Sequence, residues 1–346
     1  MLWDLFCRVV DNFGDIGVCW RLAADLGVRG ESVRLWVDDR SPLAWMAPGG
    51  APNVQCAEWG ADSEWPEPGD VVVEAFGCDP PTRFVERMTA RAATPLWVNL
   101  EYLSAEPYVK RSHGLRSPQL AGAGRGLDKW FFYPGFEAGT GGLIREPRLM
   151  DARRAFDARA WLFDRGIERR GSERLLSLFC YEHAPVADLL RALADAPTLL
   201  LATPGAAARG IAGVTNGVRC IELPWLTQAD YDRLLWACDL NFVRGEDSFV
   251  RAMWAGAPFV WQIYPQHDTA HAAKLQAFLG LMLQGAEPAL AADLRRLWLA
   301  WNGLHTGPLV LPARAPWQAL ARGWRERLLA QPDLGTQLLR FAAEKR

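Results

Sequence analysis

Asn241-Phe242-Val243-Arg244-Gly245-Glu246-Asp247-Ser248-Phe249-Val250-Arg251-Ala252 runs from an apolar strand through a single glycine into a helix. Strand, glycine turn and helix N-terminus in that order form the repeating unit of a doubly wound α/β sheet. Such sheets keep their working residues where strands hand over to helices. The stretch is also an anion site by construction. The helix dipole and N–H groups near Asp247–Phe249 favour a diphosphate, Ser248 adds a hydroxyl donor, and a nearby acid can accept from ribose hydroxyls. A plain Glu-Asp-Ser helix cap would use the same residues.

Outward from this stretch the alternation continues. Apolar runs at Leu175–Phe179, Thr198–Ala202 and Val218–Ile221 precede it, interleaved with helical patterns at Pro185–Ala194 and Gln228–Ala237. The helix from Asp247 to Ala255 is followed by a strand at Pro258–Ile263 and a helical remainder rich in Trp and Arg. A separate series opens the chain: strand Leu2–Cys7, loop Arg8–Gly14, amphipathic helix Asp15–Gly27 and strand Ser32–Val37. Apolar runs at Val71–Ala75 and Pro95–Leu100 then bracket a helical stretch near Pro81–Ala92. From Glu101 to about Arg154 the chain is rich in Gly, Pro and aromatics and reads as a hinge or interdomain region. A length of 346 residues exceeds what one core organises. The expectation is an α/β protein with two Rossmann-like domains facing each other across a cleft, at residues 1–160 and 170–315. Helices at 316–346 are expected to pack back on the first domain.

Charge narrows the partners. The 38 basic and 40 acidic residues leave a formal net charge of −2, with no Lys/Arg block, which disfavours a dedicated binder of nucleic acid or anionic membrane. Lysine occurs only at Lys110, Lys129, Lys274 and Lys345, an arginine bias that reads as genomic base composition. The 7 cysteines are odd in number, scattered and without a C-x-x-C, as expected of reduced, buried thiols in a cytoplasm. Asp4 and Arg8 interrupt the first apolar stretch, and no run of about 18 uncharged apolar residues occurs, so neither signal peptide nor membrane span is expected.

The loop Val10-Asp11-Asn12-Phe13-Gly14-Asp15-Ile16-Gly17 follows the first strand directly. Asp11 and Asp15 there could bind a cation, take a proton or grip a guanidinium. An Asx turn at Asp11-Asn12 and an N-cap at Asp15 are the plain alternatives. Pro224-Trp225-Leu226-Thr227-Gln228 ends one strand and starts a helix, so the Trp225 plane and the Gln228 amide suit base stacking and edge hydrogen bonding. A core Trp and a helix-start Gln would read the same way. Tyr181, at the end of Leu175–Phe179, and Glu101-Tyr102, after Leu96–Leu100, also fall at strand ends.

Several chemistries are absent. No G-x-x-x-x-G-K-[ST] occurs, and Gly122-Ala123-Gly124-Arg125-Gly126 follows no strand, so ATP hydrolysis and dinucleotide binding are poorly supported. There is no G-x-S-x-G elbow, and Asp38-Asp39 is not an Asp-x-Asp pattern. His267 and His271 stand at i, i+4 without H-E-x-x-H or a cysteine partner, so no metal is expected.

Val9-Val10-Asp11-Asn12-Phe13-Gly14-Asp15-Ile16-Gly17 and Arg244–Ala252 with Trp254-Ala255-Gly256 together resemble the EarP family, the elongation factor P arginine rhamnosyltransferases. The resemblance extends in order through Asn99–Ser104, Phe132-Tyr133-Pro134-Gly135-Phe136 and Pro258–Gln266, most of the chain. It implies an inverting, metal-independent glycosyltransferase of the GT-B type, moving L-rhamnose from dTDP-β-L-rhamnose to an arginine of elongation factor P without a cofactor. By position, Asp11 and Asp15 match the family's essential loop aspartates. Tyr181, Gln228, Glu246, Asp247 and Ser248 match its nucleotide-binding positions. Trp225 stands where the family more often has Phe, a change that stacking survives. The resemblance further implies a catalytic set of Asp11, Asp15 and Glu246; with no metal to neutralise the departing diphosphate, the Ser248 hydroxyl, the helix N–H groups and Arg244 are expected to meet its charge. Implied partners are elongation factor P and dTDP-rhamnose, with no nucleic acid or membrane, and a cytoplasmic monomer, since the two domains need no second copy. Two other readings stay open: another sugar-nucleotide enzyme of the same build (an epimerase or small-molecule glycosyltransferase), and a non-catalytic sugar-nucleotide sensor.

Overall fold

The structure, a computed structural model, describes residues 1–10, 13–60, 64–213, 217–265 and 270–345. The chain divides into two compact units, one of Met1–Pro147 with Ala330–Arg346, the other of Arg148–Leu329.

Among the described residues the first unit is built on a sheet of seven strands: β1 (Leu2–Cys7), β2 (Ser32–Val37), β3 (Val54–Glu58), β4 (Val71–Ala75), β5 (Leu96–Leu100), β6 (Arg116–Pro118) and β7 (Asp128–Phe132). Their order is β3-β2-β1-β4-β5-β7-β6, with all pairs parallel except β6 against β7. A parallel sheet is buried on both faces, and β1 shows how. Trp3, Leu5 and Cys7 join one core with Ile16, Leu22 and Leu26 of the Gly14–Val28 helix, and Phe6 joins the opposite core with Trp36, Val72 and Phe84. Asp4 lies on the Phe6 side, fully buried, yet it accepts from Arg34 Nε and Nη2, Trp36 Nε1 and the Gly69 N–H. Four donors satisfy a charge that burial alone would make costly.

Among the described residues the second unit carries five parallel strands: β8 (Arg174–Leu178), β9 (Thr198–Ala202), β10 (Arg219–Glu222), β11 (Leu240–Arg244) and β12 (Phe259–Gln262), in the order β10-β9-β8-β11-β12. In both sheets the order reverses beside the first strand, between β1 and β4 in one and between β8 and β11 in the other. Those switch points open the crevice in which doubly wound folds bind ligands.

Three features differ from the sequence reading. Residues 101–147 are not a hinge: they supply β6 and β7, and Phe132 is fully part of the first unit's core. Glycine and proline around these short strands mask them. Strand β3, half exposed at the sheet edge, has no apolar run to reveal it. The division of the chain also falls elsewhere. Trp161 and Leu162 pack with Leu175, Leu199 and Leu234, which carries the second unit back to Arg148. At the other end, Trp324 of the Arg314–Leu329 helix donates to Met253 Sδ at 3.1 Å in the second unit, whereas Leu334, Leu338 and Ala342 of the last helix lie in the first unit's core. No helix among the described residues is long and apolar enough to cross a membrane.

Candidate active site

In the second unit, β11 ends at Arg244 and the Glu246–Ala255 helix begins after one residue, Gly245, at φ 64° and ψ −173°. A side chain is disfavoured at that positive φ, so glycine is what allows strand and helix to meet so tightly. The first-turn N–H groups of any helix have no intrahelical acceptor, and here they face the carboxyl end of the sheet. Gly256, at φ 64°, ends the helix. Trp261 Nε1 donates to the Gly245 carbonyl at 2.8 Å and its indole stacks on Phe249 with centroids 3.9 Å apart, pinning the turn to β12.

The sequence candidates gather around this turn. The Arg244 guanidinium lies 4.6 Å from the Phe179 ring centroid and 4.3 Å from that of Tyr181, a cation held against aromatic faces. Tyr181 is buried; its N–H donates to Gln262 Oε1 at 2.7 Å and its ring meets Tyr264 edge-on. Gln228 Nε2 approaches Asp247 Oδ2 at 3.5 Å, joining the starts of two helices. Thr227 caps the Gln228–Ala237 helix by accepting from the Asp230 N–H. Trp225, just upstream, is 51% exposed, so it is not the core Trp that the plain alternative supposed. Glu246 and Asp247 are half-buried in the first helical turn, where the dipole favours acids. The Ser248 hydroxyl donates to the Arg244 carbonyl one turn back. To reach a diphosphate it must rotate away from that carbonyl.

Arg251 and Asp232 escaped the sequence reading. Arg251 Nε and Nη2 bond both Asp232 oxygens at 2.8 and 2.6 Å, both residues buried, clamping the helix that carries Ser248 to the helix that carries Gln228. A bidentate pair three residues beyond one candidate, Ser248, and four beyond another, Gln228, has no sequence signature.

In the first unit, Asp11 lies outside the described residues. Asp15 is buried at 3% exposure, and it is not an N-cap: the helix starts at Gly14 and Phe13 holds the cap position. Its Oδ2 instead accepts the Val10 N–H at 2.8 Å, closing the loop on itself, and its Oδ1 accepts from the Tyr102 hydroxyl at 3.4 Å. Tyr102 follows β5, and its ring stacks on Phe76 after β4, centroids 4.2 Å apart and planes 11° from parallel. Phe76 sits at φ 59°, a left-handed conformation that costs a bulky residue about 1–2 kcal/mol. Nothing in the sequence signals that strain. Asn99 accepts from the Gly77 N–H at 3.3 Å and donates to Glu101 Oε1 at 2.9 Å, tying β5 to the same turn.

His267 lies outside the described residues, and among those described no three His, Cys, Asp or Glu side chains converge as metal ligands. All 7 cysteines are free; Cys56 and Cys220 are half-buried and the rest buried. Burial pushes the Cys78 and Cys180 thiols up to about 12, which keeps them unreactive.

A family model described as "Elongation-Factor P (EF-P) rhamnosyltransferase EarP" matches residues 3–343. The protein-arginine rhamnosyltransferase of Pseudomonas putida is 45% identical over 373 residues, covering 98% of each chain. A solved structure reported for EarP-mediated arginine glycosylation of translation elongation factor EF-P superposes with a TM-score of 0.66 at 34% identity, covering 100% of this chain and 99% of that one. The spinosyn rhamnosyltransferase SpnG, complexed with thymidine diphosphate, shares the fold at a TM-score of 0.54 and 14% identity, over 98% of each chain. These likenesses are to GT-B glycosyltransferases, in keeping with two parallel-sheet α/β units.

Proposed function

Since the chain belongs to the EarP family of elongation factor P rhamnosyltransferases, we propose that it transfers L-rhamnose from dTDP-β-L-rhamnose to an arginine side chain of elongation factor P, with inversion and without a metal. The observation that carries the donor half of this reading is the Arg244–Gly245 junction. It sets a guanidinium, held over Tyr181, beside the N-terminus of a ten-residue helix at a strand switch point. Cation and helix dipole together suit a diphosphate, which must leave as an anion when the sugar departs. Ser248, rotated from Arg244, adds a donor to the same charge. Trp225 offers the base a stacking face, and Gln228 its edge. Glu246 and Asp247 would repel the diphosphate head-on, so they take hydroxyls of sugar and ribose.

The acceptor half follows from the chemistry of arginine. A guanidinium stays protonated below about pH 12 and its lone pairs are delocalised, so a base cannot simply strip it to a free nucleophile. The reaction needs a carboxylate that accepts hydrogen bonds from the group, aims one nitrogen at the anomeric carbon and takes the proton as the C–N bond forms. Asp11 takes that role in this reading, and Asp15, whose oxygens already hold Val10 and Tyr102, keeps the loop in place. An acceptor-side loop of this kind has no use in a sensor that only binds nucleotide.

Asp11→Asn separates the two halves. The variant should bind dTDP as wild type does, measured by calorimetry, and lose transfer to elongation factor P. Normal transfer by Asp11→Asn contradicts the assignment, and transfer of rhamnose only to water or a small molecule favours the other sugar-nucleotide enzymes.

A further inference from the structure

We propose that Tyr102, propped by Phe76, is a positioning residue for the transfer reaction, acting through Asp15. The proposal rests on the rhamnosyltransferase reading above.

Three observations converge on one spot at the β1/β4 switch point of the first unit. Tyr102 is 36% exposed, so its phenol is not there to fill a core. Its ring lies flat on Phe76 at 4.2 Å, which fixes the plane in which the hydroxyl can point. From that plane the hydroxyl meets Asp15 Oδ1 at 3.4 Å, while the Val10 N–H takes Oδ2. These two contacts hold the Asp15 carboxylate by both of its oxygens. What the contacts remove is its freedom to rotate.

The Phe76 backbone supports the assignment. A phenylalanine at φ 59°, followed by Gly77 at φ 66°, is strained, and the strain is locked by the Phe76 N–H donating to the Leu100 carbonyl at 2.7 Å. An ordinary turn between β4 and the Thr82–Ala90 helix has no need of an aromatic ring in this conformation. Strain of this kind collects where surrounding structure must aim a group at a site. Here the ring it aims is the platform for Tyr102, and the group finally aimed is the Asp15 carboxylate. A ring present for packing alone would draw nothing from its hydroxyl.

Tyr102→Phe tests this directly, because it keeps the stack and deletes only the donor. With elongation factor P and dTDP-rhamnose as substrates, kcat should fall about tenfold, the cost of one hydrogen bond to a charged group that matters at the barrier. The KM for dTDP-rhamnose, the affinity for dTDP and the melting temperature should stay at wild-type values. Phe76→Gly is the second variant: glycine relieves the backbone yet removes the platform, so kcat should fall with the Tyr102 hydroxyl intact. A kcat within about twofold of wild type in either variant overturns the proposal. So does a loss in Tyr102→Phe that appears only in melting temperature or in donor KM. Wild-type transfer in the same assay is the separate check on the functional reading.

Discussion

Asp25 should make the first unit less stable as pH rises through the mildly acidic range. It sits in the Gly14–Val28 helix, almost wholly buried, with Oδ1 accepting from Arg29 Nε at 2.9 Å and Oδ2 without a hydrogen-bond donor among the described residues. The last helix presses Gly335 against it so closely that a Cβ there would lie 2.1 Å from Oδ2. Burial outweighs the pull of Arg29 and lifts the carboxyl from its usual 3.8 to about 6, with Glu146 and Asp333 adding to the rise. The folded protein therefore keeps this proton over a range in which the unfolded chain has lost it. Stability from this group is fully present below about pH 4 and is lost as pH climbs through about 6, an amount of about 3 kcal/mol. Asp25→Asn keeps the shape and cannot titrate. Unfolding in urea at a series of pH values should show wild type losing about 3 kcal/mol relative to Asp25→Asn between the two ends of that range. A difference that is flat with pH refutes the reasoning. A difference that grows in favour of wild type would mean that Arg29 outweighs burial.

Two further variants test the second unit. Arg251→Ala leaves the Asp232 carboxylate buried without its bidentate partner and should destabilise the fold by about 3–5 kcal/mol, read from unfolding midpoints. Ser248→Ala removes a donor from the proposed diphosphate site and should weaken both dTDP binding and transfer by about tenfold, with melting temperature held near wild type.

Much of this fold is legible because parallel strands buried on both faces leave continuous apolar runs. Val71–Ala75, Thr198–Ala202 and Leu240–Val243 need no partner to be recognised. The glycine turn at Gly245 and the helix after it are equally local, so that cluster could be assembled from residues near in sequence. What stayed hidden is whatever depends on distant pairing. β3 and β6 are edge strands with little to bury, and their existence depends on a neighbour offering hydrogen bonds. The Asp232–Arg251 clamp joins two helices across 19 residues, and the Tyr102–Asp15 bond spans 87. The last helix likewise looks like its predecessor in composition. It parts from it because Arg29 binds Asp333 and Thr336, while Trp317 and Trp324 bury themselves in the second unit.

The most direct test of the central claim is the intact mass of elongation factor P after incubation with this protein and dTDP-β-L-rhamnose, with and without a chelator, followed by peptide mapping. The account predicts a gain of one deoxyhexose on an arginine, undiminished by the chelator and absent with Asp11→Asn. An unchanged mass of elongation factor P, with dTDP still bound by the protein, would contradict it.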